Sequence, residues 1–501
     1  MIRSSVTDPP LFYGAEELRS SGRPTFYDRL AILGLDWQSL ARPLRTAFCL
    51  DNGRPTDPVM YLKCFLVGYF EGIECDTDLA SRLSDSISIR LFLFGSLSVS
   101  PPDHSSLSRV RRTMAERCDW DEVLRCTVNL LRVHGLVGGE AVSIDTSLVP
   151  SRAKRGFEEV PESGSQESSA KPREQEEEKG FPPEELRPCP GKPSKKMKPV
   201  PSSYDLEAHV GTKPGYVSRP SYKASVATDH LKRAILSADA LPASTGEGAC
   251  ARLAVLDLVK TLGECPRHVV ADKGMDDCEF HAMVEWFGGS AVTPLQKSSD
   301  TASGFSKERF FYDASRDVYV CPAGQNLALL SSPYAKRLIY QAPVSACKEC
   351  PLKLLCFGSA KGPKRVSRTP EEASRERVIA ARKDPERRRL LGQRKSKVEP
   401  VFAEFKGYGG LAKIWTKGRA CASVKVKAAA VGWNIKILLK HLTGVPAKLH
   451  SKTPVAAPPQ PLQPPFGVLR AGIDALLELI RSVQRAIAKN SFETHFGTQS
   501  L

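Results

Sequence analysis

Three carboxylates and one ammonium have the types and settings to hold divalent cations beside a phosphate. They are Asp145, Asp272, Glu399 and Lys406. Asp145 lies in the alternating, β-branched run "EAVSIDTSLVP", which reads as a strand. Asp272 ends the run "HVVAD" just before a turn at Lys273-Gly274, and ligands of open α/β sheets gather beyond such strand ends. Glu399 sits in "RKSKVEPVFAEFKGYGG", where Val398, Val401, Phe402 and Phe405 recur at helical spacing and predict a buried stripe. Glu399 and Lys406 then point nearly the same way, about a quarter turn off that stripe. Hard cations want oxygen ligands, and two Mg²⁺ ions roughly 4 Å apart would activate a water or a 3′-hydroxyl and stabilise a leaving oxygen. Lys406 would meet a phosphate as a point charge. Each residue has a plainer reading. Asp145 could face solvent on an edge strand and Asp272 could only brace its turn. Ser396-x-x-Glu399 fits a capping box at a helix start, with Pro400 in the fourth helical position.

These residues need a sheet and a later helix to bring them together. Residues 25–135 read as compact helices. "TDPVMYLKCFLVGYFEG" has Pro58 just inside its start and Gly72 at its end, and Asp103 is the expected N-cap of "HSSLSRVRRTMAER". That last, basic helix offers Arg109, Arg111 and Arg112 to DNA, as in a helix-turn-helix; a bundle with a solvated Arg face is the alternative. "SYKASVATD" and "RAILSADAL" predict a hairpin, and "PRHVVADKGMDDCEFHAMVEWFGGSAVTPLQ" reads strand, turn, helix, strand, with Asp276-x-x-Glu279 as a capping box. Strands in succession and strands alternating with helices argue for a mixed α/β or α+β sheet with helices packed on it. The stretch 151–202 is rich in Glu, Pro, Ser and Lys and reads as disordered; 448–468 is a Pro-rich linker and 469–501 an amphipathic helix.

The 501 residues carry a net charge of +16, which suggests a polyanionic partner. No run approaches a membrane span and the N-terminus lacks a signal-peptide core, so the expected place is the cytoplasm, on the nucleoid, with the 14 cysteines reduced. Most cysteines are scattered. Cys321, Cys347, Cys350 and Cys356 form a quartet suited to a structural Zn²⁺, or to a relic of such a knuckle. Directly after them, residues 361–397 hold 14 Lys or Arg against 5 Asp or Glu. The more basic end, with Arg387, Arg388, Arg389, Arg394 and Lys395, is the expected DNA contact, and a charged solvated helix is the alternative.

Taken in order, "GRPTDPVMYLKCFLVGYFEG", "PPDHSSLSRVRR", "SIDTSLV", "SYKASVATD", "ADKGMDD" and "RKSKVEPVFAEFKG" resemble the DDE transposases of bacterial insertion sequences. The resemblance spans Gly53 to Gly407. It implies an all-α N-terminal DNA-binding domain (1–135) and an RNase H-like catalytic core built from 136–150, 203–300 and 394–447. A cysteine-bearing, basic insertion (301–393) would precede the Glu. It also implies Asp145, Asp272 and Glu399 as ligands of Mg²⁺ or Mn²⁺. The family signature Tyr-x2-Arg-x3-Glu-x6-Lys keeps its second half as Glu399 and Lys406, while Lys395 holds the Arg position and Gly392 the Tyr position. The implied activity is metal-dependent cleavage and strand transfer at the element's terminal inverted repeats, by a dimer or larger assembly on double-stranded DNA, with no membrane partner. A relative that binds DNA without cutting it is the first alternative, and an RNase H-like nuclease without strand transfer the second.

Overall fold

Local signals start the N-terminal helices. Asp57 accepts from the Val59 amide and Pro58 fills the first turn, so the apolar run behind them opens as a helix where the sequence predicts. The computed structural model describes residues 24–48, 57–154, 156–159, 197–200, 204–211, 218–294, 304–330, 337–357 and 362–444. Its helices before the first strand are α1 (Phe26–Ile32), α2 (Trp37–Ala41), α3 (Pro58–Phe70), α4 (Asp76–Asp85), α5 (Ile87–Phe94), α6 (His104–Arg117) and α7 (Trp120–Val133). Asp103 caps α6 by accepting from the Ser106 amide, as expected. The chain divides into units 1–455 and 456–501. The Pro-rich stretch and the C-terminal amphipathic run lie outside the described residues.

The mixed sheet follows. Its strands are β1 (Ala141–Pro150), then, after a separate antiparallel ribbon of β2 (Gly156–Glu159) and β3 (Met197–Val200), β4 (His209–Gly211), β5 (Arg219–Asp229), β6 (Ile235–Pro242), β7 (His268–Val270) and β8 (Ser290–Val292). The ribbon falls within the low-complexity stretch, most of which lies outside the described residues. The strand order is β8-β7-β1-β5-β6, with β4 beside the start of β5. β1, β5 and β6 run antiparallel, with Asp145 opposite Val226; β1, β7 and β8 run parallel. An antiparallel hairpin continued by a parallel pair is the mixed sheet that the resemblance implies, and the predicted hairpin is β5–β6.

Alternation along β1 decides which face the site occupies. Val142 and Ile144 pack against Ala251, Val255 and Leu258 of α8 (Glu247–Leu262) and Phe280 of α9 (Cys278–Trp286). Ala141 on the opposite face packs with Val270 and Leu390, and Asp145 shares that face. Asp276 and Glu279 do not form the expected capping box. The N-cap of α9 is Asp277, without a side-chain bond, and Asp276 is held by His281 and Arg375 instead.

The cysteine-bearing segment is a five-stranded antiparallel sheet in the order β13-β12-β11-β10-β9. It comprises β9 (Phe311–Asp313), β10 (Val318–Val320), β11 (Asn326–Leu330), β12 (Leu338–Gln341) and β13 (Arg365–Arg368), with α10 (Val344–Lys348) and α11 (Lys353–Phe357) between the last two strands. α12 (Glu372–Ala380) ties it back to α9: Ser374 and Arg377 bond Glu285. Two long helices close the described chain, α13 (Pro385–Gly407) and α14 (Arg419–Thr443). Asn434 of α14 imitates a backbone partner, accepting from the Ile235 amide at 2.8 Å and donating to the Ile235 carbonyl at 2.8 Å, which fixes α14 on β6. One apolar core runs from Leu62 and Leu66 of α3 through Val401 and Phe405 of α13 to Val431 and Ile435 of α14.

Candidate active site

α13 begins twelve residues before the point at which the capping reading would start it. Asp384 caps it, accepting from the Glu386 amide, and Pro385 fills the first turn. Ser396 and Glu399 are therefore mid-helix; the Ser396 hydroxyl donates to the Gln393 carbonyl at 2.7 Å, and the capping box is overturned. The predicted stripe forms on Val398, Val401 and Phe405, which are buried, while Phe402 is half-buried at its edge. Pro400 lacks an amide proton and so leaves one helical bond unmade inside the helix.

At the same stripe, Arg394 meets two of the predicted carboxylates. Its Nη1 donates to Asp145 Oδ2 at 3.1 Å and its Nη2 to Asp272 Oδ1 at 3.0 Å. The fold thus brings Asp145, on β1, and Asp272, just beyond neighbouring parallel β7, to the two prongs of one guanidinium. Asp145 is partly buried, with its other oxygen accepting from the Thr146 amide, while Asp272 is half-exposed. Glu399 is exposed on the same helix. Helical geometry sets it about 140° around from Arg394 and about 20° from Lys406. Lys406 reaches β1, donating to Ser147 Oγ at 2.7 Å and the Leu148 carbonyl at 2.8 Å. So the Lys expected on a phosphate anchors α13 to the strand that carries Asp145. Lys397 anchors the other side, through the His230 carbonyl at 2.5 Å. The His230 ring bonds Ser143 at 2.7 Å, and its pKa is lowered to about 4, chiefly by burial and then by Lys397 and Arg389.

Several arginines expected on DNA have structural work instead. Arg111 is 4% exposed, paired with Asp76 and stacked 4.6 Å from the Phe65 ring centre. Arg387 is buried, donating to Ser290 Oγ at 2.6 Å and to the Ala291 carbonyl. Arg394 is committed to the two aspartates. Arg109, Arg112, Arg388, Arg389 and Lys395 are exposed. In the neighbouring basic stretch, Arg368, Arg375 and Arg377 pair with Glu376, Asp276 and Glu285, which removes much of its apparent excess charge. Arg111→Gln is accordingly expected to lower stability by about 3 kcal/mol, because it strands the largely buried Asp76 carboxylate without its guanidinium partner. The salt dependence of DNA binding should not change. Arg112→Ala should do the reverse, costing little stability but reducing the salt slope by about 0.9. Melting curves and binding titrations across salt check both.

Cys356 is buried, and Cys321 and Cys347 pack against the core it shares with Tyr319, Tyr340 and Phe357. Burial pushes the Cys356 thiol up, Lys364 opposes this, and Cys321, Cys347 and Cys350 add to the rise. The Gln325 amide donates to the Cys321 sulfur at 3.3 Å. Among the described residues, no three His, Cys, Asp or Glu side chains are grouped so as to hold a metal ion, and no helix is long and apolar enough to cross a membrane.

Two neighbours of the site carry no motif. On the far face of β1, Thr146 donates to Glu247 at 2.6 Å, and the buried Lys223 donates to the other Glu247 oxygen at 2.9 Å. A lysine in the middle of the apolar alternation of β5 was the available signal.

Residues 320–439 match the family model "Transposase DDE domain", and residues 16–113 match "Transposase domain (DUF772)". The two matches support a DDE transposase of the insertion-sequence kind, with DNA transposition as its function. No curated protein matches. A piggyBac transposase synaptic complex with hairpin DNA is a similar solved structure, at 11% identity, over 83% of this chain and 75% of that one. The TM-score of 0.34 is too low for that likeness to bear on the site.

Proposed function

We propose that this transposase cuts and joins DNA with divalent cations held by Asp145, Asp272 and Glu399. The observation that carries the reading is the convergence of two carboxylates, one on β1 and one just beyond the neighbouring β7, on a single positive group, Arg394. The donor set fits a hard cation, because it offers oxygen atoms only. When bound, Mg²⁺ or Mn²⁺ would lower the pKa of a water or 3′-hydroxyl and stabilise charge on the leaving oxygen. The chain's own residues supply the rest. β1 and the turn after β7 hold the aspartates, and α13 carries Glu399 on the face it shares with Lys406. Lys406 and Lys397 fix that helix to the sheet, so the carboxylates keep their spacing while DNA binds. Exposed Arg109 and Arg112 on α6, and Arg388, Arg389 and Lys395 on α13, supply phosphate contacts for terminal repeats and target. Joining two ends calls for at least two copies of the chain. A structural zinc ion on Cys321, Cys347, Cys350 and Cys356 belongs to the same reading, supported by thiol donors around one small core.

The test is cleavage of a labelled duplex carrying the gene's own flanking DNA. Mg²⁺ is expected to give nicks at one defined position and EDTA to remove them. Glu399→Gln should slow the nicking about 10²-fold. Binding without cleavage in any divalent cation would instead support a relative that has kept only DNA recognition.

A further inference from the structure

Arg394 is more than a neighbour of the proposed metal centre, because it fills the electrostatic role of a cation there. Its side chain is 12% exposed, and its two bonds go to carboxylates on β1 and on the turn that follows β7. A guanidinium stays charged at every accessible pH and offers a planar fork of donors, so one group can bridge two acids. The backbone beneath it is fixed by buried Leu390 and Val398, one turn to either side, and by Lys397 on the His230 carbonyl. The long side chain is therefore the part that can move. Without Arg394, two carboxylates facing the same space would repel each other whenever no metal is bound.

We propose that Arg394 is a positioning residue that acts as an internal counter-ion. It competes with divalent cations for Asp145 and Asp272, and swings to a DNA phosphate when a cation takes its place. This rests on the metal-dependent reading above. Its consequence is that the chain folds stably without metal, binds metal weakly alone, and binds it well only when DNA offers Arg394 a new partner. Metal and DNA then raise each other's affinity reciprocally.

The experiment measures Mn²⁺ binding to the full chain without DNA, from the free-Mn²⁺ paramagnetic resonance signal, together with thermal midpoints with and without Mn²⁺. Arg394→Gln is expected to bind Mn²⁺ about tenfold more tightly than the parent, to melt lower without metal, and to gain more on adding it. Arg394→Lys should fall between, since an ammonium is a point charge rather than a fork, and it keeps the test alive if the Gln variant folds poorly. With Ca²⁺ present, the salt slope of DNA binding should fall by about 0.9 in Arg394→Gln. Equal Mn²⁺ affinity in parent and Arg394 variants, with Asp145→Asn still abolishing binding, would overturn the counter-ion while leaving the metal site standing. An unchanged salt slope would overturn the swing to phosphate. Failure of every variant to bind Mn²⁺ would remove the metal-dependent reading and this inference with it.

Discussion

Asp145→Asn and Asp272→Asn are each expected to lower strand cleavage about 10³-fold, a loss of roughly 4 kcal/mol of transition-state stabilisation. The substitution is nearly isosteric and keeps an oxygen that can accept from Arg394, so the fold has little reason to change. What it removes is the negative charge that a divalent cation needs. The expected pattern is a lost rate with retained DNA binding and a thermal midpoint close to the parent's. Asp239→Asn is the matched control, because Asp239 lies on β6 and spends its charge on Arg419 and Ser423. That variant should cut as the parent does. Cleavage at the parental rate in Asp145→Asn would mean that the reaction happens elsewhere on the molecule. Loss in Asp239→Asn as well would mean that the assay reports folding.

The sheet was readable because its strands alternate and its turns are punctuated. β1, the β5–β6 hairpin and the strand-turn-helix-strand around Asp272 all lie where the residue pattern puts them. Helix starts were legible for the same local reason, at Pro58 behind its Asp57 cap and at Asp103. Ser396-x-x-Glu399 shows the limit: a capping box is meaningful only at a helix start, and the Asp384-Pro385 pair had already started this one. The misjudged arginines share one cause. Arg111 falls on the stripe of Leu107, Val110 and Met114, and both Arg387 and Arg394 fall on the stripe of Leu390, Val398, Val401 and Phe405. A net charge count is blind to that, whereas a helical projection separates inward arginines from the outward Arg112, Arg388 and Lys395. The same projection favours Arg394 over Lys395 as the residue facing the carboxylates. Their actual partners, Asp76, Asp145 and Asp272, lie far away in sequence, and only the tertiary fold supplies them.

Gly432→Ala should be among the most destabilising single-methyl changes in this chain. A Cβ built at Gly432 of α14 would fall inside contact distance of Tyr69 Cδ1 and 2.7 Å from Cε1. Tyr69 is held on several sides. Its ring is 4% exposed, packs edge-on to Phe405 at 6.1 Å, and also meets the backbone at Gly409 closely. Its hydroxyl donates to Glu404 at 2.5 Å, and Lys436 bonds the same carboxylate oxygen at 2.6 Å. Burial, and then the Glu404 charge, push the Tyr69 phenol well above its ordinary range, so it stays a neutral donor. Overpacking of this kind costs about 3 kcal/mol, which for a chain of this size is a fall of roughly 3 °C in Tm. The effect extends to function because these three residues join α3, α13 and α14. If the ring is driven from Glu404, the helix that carries Arg394 and Glu399 loses a tie at its far end, and cleavage should fall at temperatures where the protein is still folded. Removing the obstruction gives the decisive comparison. In Gly432→Ala/Tyr69→Leu the methyl has room, so the double variant should be more stable than the sum of the two single losses by more than about 1 kcal/mol. Strict additivity would show that the two residues do not press on one another, and that the close approach of α14 to α3 is set elsewhere.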